Sequence, residues 1–263
     1  MKIKYSLALT AAVAAVFITS ALLRAAVSDD RIESAAKASF VFRTHLKDDA
    51  IRVQSKDGAV TLTGTVAKEF HETLAQDTVA ELPGVKSVDN QLKVAGKRDD
   101  KNSDAWLTTK VKTAFLFHRN VSAIETEVNT KNGRVTLSGE ADSQAQKDLT
   151  TEYAKDIEGV KGVENKMTVA KVSEKPDQKQ GETMGENIDD ASITAQAKMT
   201  LLFHRATSAS NTQIETNDGI VKLDGKAKSG AEKDLAGKLV ADIHGVKSVV
   251  NNMAVDKALS KNN

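Results

Sequence analysis

The chain has 263 residues, 37 basic against 36 acidic, with a hydrophobic fraction of 40%. That is the balance of a globular protein, and it leaves no basic surplus of the kind a nucleic-acid binder carries. There is no cysteine, which excludes disulfides, thiolate metal sites, cysteine nucleophiles and a lipid attached to an N-terminal cysteine.

In chain order, residues 1–26 come first. Lys2 and Lys4 precede an uncharged, largely apolar run from Tyr5 to Leu23, the pattern of a secretory signal. The run exceeds the usual h-region of roughly 7–15 residues, so an uncleaved anchor formed by residues 5–23 is the alternative. Either reading puts the bulk of the chain outside the cytoplasm. Taking Lys2, Lys4 and Arg24 from the 37 basic residues leaves 34 against 36 acidic ones, a formal charge of −2 for the remainder.

The rest of the chain repeats. Residues 30–94 match 105–169 with a constant shift of 75, and 105–169 match 191–255 with a constant shift of 86. Each copy opens with apolar residues four apart: Ile32, Ala36 and Phe40, then Leu107, Val111 and Phe115, then Ile193, Ala197 and Leu201. That spacing predicts an amphipathic helix. Asp57-Gly58, Asn132-Gly133 and Asp218-Gly219 follow, dipeptides suited to positive φ at both centres of a hairpin turn. The strand before each turn is centred near Val53, Val128 or Ile214. The strand after it alternates in period two, with Val60 and Leu62, Val135 and Leu137, or Val221 and Leu223 pointing inward. Gly64, Gly139 and Gly225 are read as a strand end or bulge.

A second helix carries Leu74, Leu149 or Leu235, then Leu82, Ile157 or Ile243, and is expected to stop at Gly84, Gly159 or Gly245. A last strand closes each copy with "VDNQLKV", "VENKMTV" or "VVNNMAV". Asn90, Asn165 and Asn251 fall on its inward parity and are expected to satisfy backbone groups, a ligand contact being the other reading. The predicted fold is α+β: three tandem αββαβ modules, each a three-stranded sheet with two helices on one face. Their bounds are 29–95, 104–170 and 190–256. Residues 96–103 form a short charged linker, 171–189 a flexible polar tether and 257–263 a tail. The short linker suggests that copies one and two sit close together and copy three is looser.

The set Gly58, Val60, Leu62, Gly64, Gly84, Val85, Val88, Asn90, Leu92 and Val94, with its counterparts, resembles the BON domain of bacterial envelope and osmotic-stress proteins. The resemblance covers nearly everything after the leader. It implies an αββαβ fold, a periplasmic location, a role in envelope or osmotic stress, binding to anionic phospholipid surfaces and, in some members, chaperone-like activity towards envelope proteins. Two departures stand out. Three copies replace the frequent two, and the first helix ends in "FLFHR" and "LLFHR" in copies two and three but "FVFRT" in copy one.

No catalytic motif assembles. "HETLA" from His71 lacks the second histidine of a zinc helix, and there is no G-x-S-x-G elbow or phosphate loop. Neither a cofactor nor a small-molecule substrate is expected, and the reading is non-enzymatic. The candidate lipid-binding residues are Trp106, Lys110, His118, Arg119, His204 and Arg205. Arginine suits bidentate phosphate contact, and tryptophan suits a membrane interface. The plainer reading of the His-Arg pairs is a cation at a helix C-terminus, which the recurrence of Phe42, Phe117 and Phe203 as core residues favours. Trp106 has no apolar counterpart and is expected to project, towards a membrane or a neighbouring module. His71 and His244 are expected on the surface. A soluble periplasmic chaperone or scaffold is the alternative function.

Overall fold

The computed structural model describes residues 28–95, 103–123, 125–170, 188–207 and 209–256. The expected leader, the tail and nearly all of both linkers lie outside the described residues. The chain divides into two units, Met1–Gly96 with module 1 and Lys97–Asn263 with modules 2 and 3.

Unit 1 runs α1 (28–38), α2 (Phe40–Thr44), β1 (Ala50–Lys56), β2 (Ala59–Val66), α3 (Glu69–Ala80) and β3 (Ser87–Val94). The sheet order is β1-β2-β3, antiparallel then parallel. The central strand sends Val60 and Leu62 inward, and both are essentially fully buried. Burying such a side chain contributes roughly 1.5–3 kcal/mol, so the alternation locks the register. Asp57 and Gly58 have φ of 54° and 82°, the two left-handed residues that the hairpin turn requires.

Unit 2 repeats this plan twice. Module 2 is α4 (Asp104–Phe117), β4 (Thr126–Lys131), β5 (Arg134–Ala141), α5 (Gln144–Asp156), β6 (Gly162–Asn165) and β7 (Thr168–Val169). Module 3 is α6 (Asp190–Phe203), a 3-10 turn, β8 (Thr212–Asn217), β9 (Ile220–Ala227), α7 (Gly230–Ala241), β10 (Ser248–Asn251) and β11 (Ala254–Val255). In both, the last strand pairs in parallel with the central one in two short pieces.

A clasp absent from the sequence reading recurs in every module. The aspartate at the start of the first helix accepts both amides of the hairpin turn: Asp29 from Asp57 and Gly58, Asp104 from Asn132 and Gly133, Asp190 from Asp218 and Gly219, at 2.6–3.0 Å. Hydrogen bonding holds the Asp29 carboxyl below the usual range, through Ser55 and then Gly58, and the Asp104 carboxyl likewise, through Gly133 and then Asn132. The repeated asparagines do what was expected of them. Asn90, Asn165 and Asn251 donate to the carbonyls of Glu72, Lys147 and Lys233 on the second helix and accept from the amide two residues on.

Several expectations need correction. Gly64, Gly139 and Gly225 lie inside the central strand, in regular pairing. A Cβ there would stand 1.9–2.0 Å from a carbonyl oxygen at the start of the neighbouring strand or just before it, at Ala50, Glu125 and Asn211 respectively. The second helices stop at the cap residues Glu81, Ile157 and Asp242, ahead of the glycines. Leu82, Ile157 and Ile243 turn inward there and open a tight turn closed by the amide of Val85, Val160 or Val246. Phe40 and Phe42 are only partly buried, because the first helix of module 1 breaks at Ser39 and seats Val41 in the core instead. Copy three is not loosely attached: it shares a unit with copy two.

Candidate functional site

The polar residues singled out from the sequence converge where modules 2 and 3 meet. Each first helix there gives way to extended backbone at its histidine, His118 with φ −90° and ψ 126° and His204 with φ −83° and ψ 127°. Each extended end pairs antiparallel with the turn after the other module's second helix, His118 with Ile243 and His204 with Ile157. Four main-chain bonds close this double bridge. The Arg119 amide donates to Asp242 and that of Arg205 to Asp156, both at 2.9 Å. The amide of His244 donates to Phe117 at 3.1 Å and that of Glu158 to Phe203 at 2.9 Å. Every bond has its counterpart 86 residues away, so the joint has an internal pseudo-two-fold axis.

The arginines complete it. Nη2 of Arg119 donates towards the carbonyls of Ala241, Ile243 and Val246 at 2.7–2.8 Å. Arg205 makes the same approach to Lys155, Ile157 and Val160. These carbonyls lie at a helix C-terminus and in the tight turn that follows it, where the peptide dipoles present partial negative charge and the last helical acceptors lack partners. The plainer sequence reading was therefore right in kind, with one change: each cation caps the helix of the neighbouring module, not its own.

His118 and His204 are 0% and 2% exposed, and their rings lie 6.0 Å apart. Tyr153 stacks on His118 at 4.2 Å and donates its hydroxyl to Asp242 at 2.7 Å. Asp242 also accepts from Asn120 and lies 3.3 Å from Nδ1 of His118. His204 meets Asp156 at 2.7 Å. Burial pushes the His118 imidazole below its ordinary pKa, with Asp242 opposing, and pushes the Tyr153 phenol up, with Asp242 adding to the effect. Lys110 is buried beside the joint. It donates to the carbonyl of Glu158 at 3.2 Å, and its ammonium lies 5.6 Å from the centre of the Phe203 ring. Burial lowers its pKa, with Glu158 opposing.

Five of the six candidate residues are thus joined in one place. The sixth, Trp106, is partly exposed at the start of α4, where its amide is capped by Ser103. His71 and His244 are not surface residues. His71 is largely buried and bonds Asp49 at 2.5 Å, while His244 is partly buried near the joint; burial lowers the pKa of both. Sequence reasoning missed Tyr153, Asp156 and Asp242. Their one signal was company: the two copies that carry His-Arg are also the two with aspartate where the second helix ends, where copy one has Glu81. Among the described residues no group of three or more metal-ligating side chains gathers, and no helix is long and apolar enough to cross a membrane.

The BON domain family model matches three times, at residues 28–96, 103–171 and 189–257. The chain belongs to the BON domain family. It is 36% identical over 197 residues to osmotically-inducible protein Y of Escherichia coli, an alignment covering 74% of this chain and 92% of that protein. It is also similar to a 21 kDa hemolysin of Actinobacillus pleuropneumoniae, 31% identical over 52% of this chain and 72% of the other. The outer membrane lipoprotein DolP of Haemophilus influenzae is 30% identical over 51% of this chain and 68% of its own length.

Proposed function

We propose that this chain is an exported, non-catalytic protein of the cell envelope that serves under osmotic stress by binding phospholipid surfaces. The basic and apolar leader supports export, and two relatives, one osmotically inducible and one an outer membrane lipoprotein, support the setting. Buried or capping roles occupy Lys110, His118, Arg119, His204 and Arg205, so the contact surface is drawn elsewhere. The observation that carries it is the pair Leu116 and Leu202. These are the same position in modules 2 and 3, they are 43% and 52% exposed, and each follows a lysine by one helical turn, Lys112 or Lys198. Trp106 begins the same helix as Leu116. Exposed apolar side chains with nearby cations suit the boundary between acyl chains and anionic headgroups.

Flotation of residues 27–263 with anionic and zwitterionic vesicles over a salt series tests this reading. Selective flotation with anionic vesicles, weakened by salt and lost in Leu116→Asp with Leu202→Asp, is the expected result. No flotation under any condition contradicts it. The second reading, a soluble chaperone or scaffold, draws on the formal charge of −2 and on Ile220 and Val250. Both are 46% exposed on the module 3 sheet face away from its helices. That reading predicts suppressed aggregation of a client protein without lipid.

A further inference from the structure

The joint holds more buried polar groups than it satisfies. His118 has only the 3.3 Å approach of Asp242 to its Nδ1, and neither its Nε2 nor that of His204 has a hydrogen-bond partner. On α6, one and two turns before His204, the Thr200 hydroxyl and both amide atoms of Gln196 are buried without partners as well. A buried polar group without a partner favours the state that returns it to water. Opening would return those groups to water and leave the module cores intact. The buried module 3 core of Ile193, Ala197, Leu201, Val221, Leu223 and Val240 is built from its own elements, with Tyr153 of module 2 packed against it from outside.

The two histidines differ in their surroundings. His204 faces Asp156 at 2.7 Å. His118 faces Asp242 at a longer 3.3 Å, and Asp242 also accepts from Tyr153 and Asn120. Around His118 stand Tyr153 from α5, His204 from the end of α6, Asp242 and His244 from the end of α7, and Arg119 next in its own chain. One already shared carboxylate is therefore set against Arg119 and two further imidazoles.

We infer that the joint is a pH-operated latch, closed with His118 uncharged and opened, with each module still folded, when acidification protonates that imidazole. The sign follows from linkage. Burial disfavours the charged ring in the closed state, while in the open state the ring titrates near the ordinary value of about 6.5. Well above that pH neither state gains. Below it, protons bind the open state preferentially, by about tenfold for each pH unit separating the two pKa values.

The absence of native cysteine makes the test direct. Spin labels on Asn129→Cys and Glu215→Cys, equivalent exposed positions on β4 and β8, report the distance between modules in the full chain. At about pH 7.5 one narrow distribution is expected. At about pH 5 a longer and reversible population grows, with far-ultraviolet circular dichroism unchanged, and His118→Gln abolishes the growth. An unchanged distribution in the parent, or the same acid opening in His118→Gln, overturns the latch. If His118→Gln already separates the modules at neutral pH, ring titration by NMR in the parent decides. A His118 midpoint coinciding with opening supports the latch, and separated midpoints overturn it.

Discussion

Module 1 and modules 2 and 3 share a sheet, a turn and a clasp, yet end their first helices in opposite ways. In module 1 the helix breaks at Ser39, whose hydroxyl donates to the Ala36 carbonyl at 2.8 Å and accepts from the Phe42 amide at 3.4 Å. The short α2 that follows seats Val41 fully in the module's own core. In modules 2 and 3 the same position holds Ala114 or Thr200, the helix continues, and the residue matching Val41 is the exposed Leu116 or Leu202. The chain then leaves as an extended His-Arg and engages its neighbour. One local change, a serine cap against an uninterrupted helix, accompanies the difference between a module that closes on itself and two that close on each other.

The comparison breaks most sharply where the modules are alike. Gly64→Ala and Gly139→Ala drive a Cβ into the opposing carbonyl at a left-handed φ. Each is expected to cost roughly 4 kcal/mol or prevent folding of its own unit, seen as loss of hydrogen-exchange protection in unit 1 or unit 2 alone. Equal protection of both units in either variant would contradict this. Next in size, Arg119→Ala with Arg205→Ala removes both helix caps and is expected to weaken the joint by on the order of 2–5 kcal/mol. It should widen the distance between labels on Asn129→Cys and Glu215→Cys while leaving unit 1 unchanged. Ser39→Ala removes a cap found only in module 1. A loss of about 1 kcal/mol is expected, confined to unit 1 in peptide-resolved exchange.

The smallest effect belongs to the clasp. Because hydrogen bonds hold the Asp104 carboxyl below its ordinary pKa, its stabilisation is complete above the usual carboxylate range. It fades as pH falls through the depressed value. Asp104→Asn should remove that part of the acid dependence from the urea midpoint followed by Trp106 fluorescence. An unchanged acid dependence would show the clasp to be idle.

Much of the fold was legible because it rests on local chemistry repeated three times. Period-two strands, Asp-Gly turns and helical spacing each recur in register, and the asparagine bridge was foreseeable from a polar residue on an inward parity. The joint was legible only as a list of residues. His118, Arg119, His204 and Arg205 stood out, but their partners Asp156, Asp242 and the carbonyls near Ile157 and Ile243 all lie in the other copy, 45 to 50 residues away for His204 and Arg205 and 122 to 127 for His118 and Arg119. Helix periodicity points a side chain inward or outward and cannot name the module it meets. Linker length misled for the same reason, since the longer connector joins the two modules that pack together.

The central claim is that reciprocal arginine caps make modules 2 and 3 one unit. Amide hydrogen exchange of Arg119→Ala tests it most directly, because the substituted residue lies in module 2 and its acceptors lie in module 3. The account predicts that the amides of residue 119, Glu158, Arg205 and His244 lose protection together, while those of the Asp57-Gly58 turn in unit 1 stay as they were. Unchanged protection at His244 and Glu158 would contradict it.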